Sequence, residues 1–224
     1  MHLFLVGHGN QAFAHLHPVT RDSNAFESPL PPLPAGDYAL FADIVFSSGF
    51  TETLTASVTL VHPGSATWAP NDSDDSYAVG LRAGGRQATL ADGSTLTWLR
   101  SDSVVAVGEE ADLRFRFIPP AGQPASLEPY LGMAGHAAVV RSDDSVFIHL
   151  HPLGTISLAA QAALQNGAHA MPMASPAALS DTLYFPYAFP QSGRYTVWVQ
   201  LKRAGRVLTG AFPVRVGAAG SLIP

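Results

Sequence analysis

Hydrophobic and polar residues alternate with period two along most of the chain, as at Tyr195, Val197, Val199 and Leu201. That spacing puts one set of side chains on one face of a β-strand. Segments 39–45, 55–61, 95–100, 111–117, 125–131, 196–201 and 209–216 read as strands in the same way. A helical period occurs only at 155–165, where Ile156, Leu158, Ala159, Ala162 and Ala163 recur near helical spacing and Gly167 can end the turn. The 20 glycines and 18 prolines supply many turns. The expected architecture is all-β: a duplicated, antiparallel, immunoglobulin-like β-sandwich with one short helix in its second copy.

The duplication is visible in the residues. Phe13-Ala14-His15-Leu16-His17-Pro18 matches Phe147-Ile148-His149-Leu150-His151-Pro152 at all but one position. His2 precedes His15 by the same 13 residues that separate His136 from His149. Downstream, Gly36-Asp37-Tyr38 and Gly193-Arg194-Tyr195 each introduce an apolar strand, a glycine-containing turn and a closing strand. The copies differ in front: residues 77–135 precede His136, whereas only Met1 precedes His2. The expected organisation is a partial sandwich repeat at 1–63, a linker at 64–76 and a complete repeat at 77–224. The front of the first repeat is expected to be missing, or to come from another chain, a homo-oligomer being one source.

Composition narrows the function. The net charge is −5, with a single lysine, Lys202, and no basic stripe, which speaks against nucleic-acid binding. With no cysteine, the chain has no disulfide, thiolate metal site, cysteine nucleophile or blue-copper centre. No apolar run reaches the length of a membrane span. Residues 1–6 lack the basic start and apolar length of a signal peptide; with a front segment expected to be missing, that carries no information about address. Asp72, Asp74 and Asp75 alternate as calcium ligands can, but the glycine and terminal glutamate of a calcium loop are missing, so a solvated acidic linker is expected.

The histidines carry the candidate chemistry. A two-residue loop at Ser142-Asp143 would set His136 opposite His149, with His151 on the same face. A loop at His8-Gly9 would set His2 opposite His15, with His17 beside it. Opposed Cβ atoms lie about 5 Å apart, close enough for imidazoles to converge on one ion. His136, His149 and His151 form one candidate metal site, and His2, His15 and His17 the other. Three imidazoles with a vacant position suit copper, zinc or nickel rather than calcium or magnesium. The bland alternative is that the duplication copied histidines that cap strand ends. His169, Met171 and Met173 could hold Cu(I), although methionine more often fills core gaps. His8 and His62 have no counterpart in the other copy.

The motifs at 1–6, 13–18, 130–136, 147–152 and 193–200 resemble bacterial secreted or periplasmic His-x-His-Pro repeat proteins of unknown function, some regarded as heavy-metal-associated. The resemblance covers most of the chain and implies a β-sandwich and an extracytoplasmic address, but no reaction. The leading expectation is a non-catalytic copper-binding module for storage, delivery or resistance, zinc being the alternative metal. His-x-His with a third histidine on a neighbouring strand also resembles the zinc tripod of alpha-type carbonic anhydrases, which implies a metalloenzyme. No carboxylate adjoins the His-x-His pair, however, and the glutamate pattern of cupins does not follow it. A structural or interaction domain is the third reading.

Overall fold

The computed structural model describes residues 1–9, 11–22, 24–63, 67–81, 85–100, 104–152 and 179–217. Strands dominate, and no helix occurs among the described residues. The helix expected at 155–165 lies outside them, as do His169, Met171 and Met173. The described chain divides into two compact units, one of residues 1–81 and one of 85–152 with 179–217.

The first unit contains β1 (His2–Gly7), β2 (Ala12–Leu16), the short ribbon of β3 (Val19–Asp22) and β4 (Ala25–Glu27), the long hairpin of β5 (Gly36–Val45) and β6 (Thr51–Leu60), and β7 (Ser76–Val79). Its main sheet is antiparallel throughout, in the order β6-β5-β1-β2-β7. Alternation gives one face Leu5, Ala14, Leu16, Tyr38 and, on β7, Tyr77, covered by Leu30, Leu33 and Trp68. On β6, Leu54 and Val58 remain exposed.

The second unit contains β8 (Gln87–Thr89), β9 (Thr95–Trp98), β10 (Val104–Ala106), β11 (Glu110–Ile118), β12 (His136–Arg141), β13 (Phe147–Leu150), β14 (Thr182–Ala188), β15 (Gly193–Arg203) and β16 (Arg206–Gly217). It is a sandwich. A sheet ordered β10-β16-β15-β12-β13 packs against one ordered β14-β11-β9-β8. Val197, Val199 and Leu201 from the first meet Leu113, Phe115 and Phe117 from the second in a continuous apolar core.

The duplication is structural as well as sequential. The four strands β6-β5-β1-β2 repeat as β16-β15-β12-β13. His2 pairs with Asp43 across β1 and β5, and His136 pairs with Gln200 across β12 and β15. The Gly-x-Tyr motif has the same role in each copy. Gly36 (φ 146°) and Gly193 (φ 142°) adopt backbone angles open to glycine. The following Tyr38 and Tyr195 donate their hydroxyls to the carbonyls of Pro34 and Gln191, each at 2.8 Å, which pins the entry of the strand. The copies differ in their fifth strand. β7 is added beside β2, whereas β10 is added, in parallel, beside β16. The two additions are therefore at opposite edges of the same four-stranded motif.

Two expectations are corrected. First, the end of the linker expected at 64–76 turns inward rather than staying solvated. Asp74, Asp75 and Ser76 are buried, and β7 continues from them into the sheet of the first unit. The unit boundary falls after residue 81 because β7 satisfies the edge of β2. Second, both histidine hairpins have four-residue loops rather than two. The pairs are Phe4 with His15 and Ala138 with His149. In the second hairpin the Asp144 amide donates to the Arg141 carbonyl at 2.9 Å, and Asp144 takes a left-handed conformation (φ 59°). Asp143 accepts from the Ser145 amide and hydroxyl, and the Arg141 amide closes the loop on the Val146 carbonyl. These side-chain bonds favour a four-residue turn over a tight two-residue one. The shift is two residues, so each histidine keeps the face that alternation assigned to it.

Candidate metal centre

The three histidines of each repeat do converge. In both sets, one ring nitrogen from every residue lies within 4.8 Å of the others. The slipped register sets the pattern. Beyond Leu3–Leu16 and Ala137–Leu150, one more step puts His2 opposite His17 and His136 opposite His151, with the middle histidine diagonal to both.

In the second unit, His136 Nδ1 lies 3.0 Å from His149 Nε2, and His136 Nε2 lies 3.1 Å from the Tyr130 carbonyl oxygen. A carbonyl can only accept, so Nε2 of His136 carries the proton and a neutral ring has its lone pair on Nδ1. That lone pair accepts the Nε2–H of His149. The Tyr130 ring meets His136 edge-on at 4.7 Å between centroids. His136, His149 and His151 are all buried, and burial lowers the pKa of His151 from 6.5 to about 4. It is neutral at pH 7, and its Nδ1 is buried with no hydrogen-bond partner. Such an orphaned polar atom costs about 1–3 kcal/mol.

Gly135 explains how β12 comes so close to β15. A Cβ there would sit 2.6 Å from the Gln200 carbonyl and 3.1 Å from a Leu183 methyl. Only glycine permits this approach immediately before His136.

In the first unit, His2 Nδ1 lies 2.9 Å from His15 Nε2, the same atoms as in the second. His15 is fully buried, and Phe4 stacks on it with centroids 4.1 Å apart. His17 Nδ1 lies 2.9 Å from Asp75 Oδ1. A carboxylate acceptor places a proton on Nδ1; a neutral ring then has its lone pair on Nε2, which is buried and unpartnered. Asp75 also accepts the His17 amide at 2.6 Å and the amides of Asn71 and Asp72 at 3.1 and 3.3 Å.

A model of the family described as a domain of unknown function, DUF8832, matches residues 88–218. The chain belongs to the DUF8832 family. No curated protein matches the chain. The DUF8832 region contains the second triad with Gly135 and Tyr130, and the first triad lies outside it. Among the described residues the fold gathers the six histidines singled out by spacing, three of them within the DUF8832 match. Sequence reasoning missed Asp75, which is 58 residues from His17 and reaches it only through the β2–β7 pairing. Asp43 and Gln200 each stand seven residues after the glycine of Gly-x-Tyr, opposite the first histidine of the set.

The donor set could hold a metal ion. A tetrahedral ion with bonds of about 2.0 Å spaces its nitrogens about 3.3 Å apart. The bonded pairs, at 2.9 and 3.0 Å, would open by a few tenths of an ångström as an ion replaced the shared proton. The other ring nitrogens of His136 and His17 are held by a carbonyl and a carboxylate, the outer partners that orient metal-binding imidazoles.

Proposed function

We propose that the protein is an extracytoplasmic metal-binding module with two three-histidine sites. Copper is the preferred ion and zinc the alternative, and the role is storage, delivery or resistance rather than catalysis. The observation that carries this reading is the convergence of three ring nitrogens within 4.8 Å of one another in each triad, with Nε2 of His17 buried and unpartnered in the first. A cation bound in the first triad would satisfy that nitrogen. An all-imidazole set favours copper or zinc over hard ions. The burial of His136, His149 and His151 argues against turnover, because a substrate would have to reach an ion enclosed by protein. In the first site, the Asp75 carboxylate accepts four N–H groups and has no role left as a general base. The extracytoplasmic address rests on the His-x-His-Pro resemblance.

Untagged protein, purified in metal-free buffer and reloaded with Cu(II) or Zn(II), is expected to retain two equivalents per chain after desalting. Elemental analysis measures this directly. Retention of less than a tenth of an equivalent of either ion would leave the histidines as structural caps.

A further inference from the structure

We propose that Asp75 is a positioning residue that makes the two sites unequal, so that the first triad binds metal more tightly and fills before the second. The proposal rests on the metal-binding reading above and adds a rank order to it. The two triads share their inner geometry: the His2–His15 and His136–His149 contacts use the same ring atoms at nearly the same distance. They differ at the third histidine. His17 is held through Nδ1 by the Asp75 carboxylate. His151 has a buried Nδ1 without a partner.

The cause is the placement of the fifth strand. β7 pairs Ser76 with His15, which brings the preceding Asp75 alongside His17. The amides of Asn71, Asp72 and His17 fix the carboxylate itself. In the second unit, β13 is the terminal strand of its sheet among the described residues, and the added strand β10 stands at the opposite edge. No described strand beside β13 can supply a counterpart of Asp75.

Two consequences favour the first site. A carboxylate on Nδ1 fixes the tautomer before the ion arrives and makes Nε2 a more basic ligand; loss of such a partner typically weakens metal affinity roughly 10–100-fold. Access points the same way. His2 and His17 are only partly buried, whereas all three residues of the second triad are buried.

The test is a Zn(II) titration of the full chain, by calorimetry against a competing chelator. Wild type is expected to give two resolved events. Asp75→Asn should weaken the tighter event roughly 10–100-fold and leave the weaker one in place, and Asp75→Glu should restore part of the loss. His151→Ala should remove only the weaker event. An unchanged tight event in Asp75→Asn, or a loss that falls on the weaker event, overturns the proposal. So do two wild-type events of equal affinity. No uptake by wild type would sink the metal-binding reading itself, a separate outcome. A further measurement needs no variant. Nitrogen-15 shifts of metal-free wild type should show His17 protonated at Nδ1 with a free lone pair at Nε2. The opposite tautomer overturns the assignment even if Asp75→Asn fails to fold.

Discussion

The double variant His15→Ala/His149→Ala is expected to lose all specific metal uptake, while each single variant keeps one equivalent. Each residue is the middle histidine of its triad, with Nε2 2.9 Å (His15) or 3.0 Å (His149) from Nδ1 of the first histidine. Its removal leaves two nitrogens, and a bidentate site cannot enclose an ion with the remaining geometry. Loss of an outer partner alone costs roughly 10–100-fold, so loss of a direct ligand should exceed about 100-fold. The truncations also open space where a buried ring stood, so folding must be followed by circular dichroism in parallel. Equal uptake by wild type and a folded double variant would falsify the metal assignment for both repeats.

Acid is expected to destabilise the second unit in the absence of metal, through His151. Its folded pKa, about 4, lies below the unfolded value of 6.5 because burial disfavours the charged ring. The neutral form is stabilised at pH 7, and the stability tied to it is fully present above about 6.5. As pH falls from there towards 4, the unfolded chain takes up a proton that the folded chain refuses, and stability declines. The difference corresponds to about 3 kcal/mol over that window. Urea unfolding of metal-free protein at pH 7.5, 5.5 and 4.5 should show the decline, and His151→Gln should flatten it. A bound ion should oppose it, because protons and metal compete for the same nitrogens. A wild-type profile as flat as that of His151→Gln would count against a neutral, buried His151.

The period-two pattern and the duplicated motifs made the strands, the shared histidine face and the all-β class legible in the sequence. These are local properties. Alternation in 193–201 needs no distant partner to be read, and a register slip of two leaves it intact. The loop length was not legible, because the choice between two and four residues depends on the side-chain bonds of Asp143 and on a left-handed Asp144. Neither leaves a mark in hydrophobicity. The acidic segment before β7 was misread for a different reason. Asp72, Asp74 and Asp75 have the composition of a solvated stretch, yet the edge of β2 and the ring of His17 draw Asp75 inward. Composition records average exposure, whereas a long-range pairing decides this one.

The open side of β6 has a consequence for amide hydrogen exchange. The Phe46 amide donates to the Phe50 carbonyl across the hairpin, which fixes the phase of the antiparallel ladder above it. The amides of Glu52, Leu54, Ala56, Val58 and Leu60 then point at β5, and those of Thr51, Thr53, Thr55, Ser57 and Thr59 point away. Exchange along this one strand should alternate between slow and fast residues. The strand thereby carries its own gauge of company: if another chain laid a strand alongside it, the fast set would slow and the slow set would barely change.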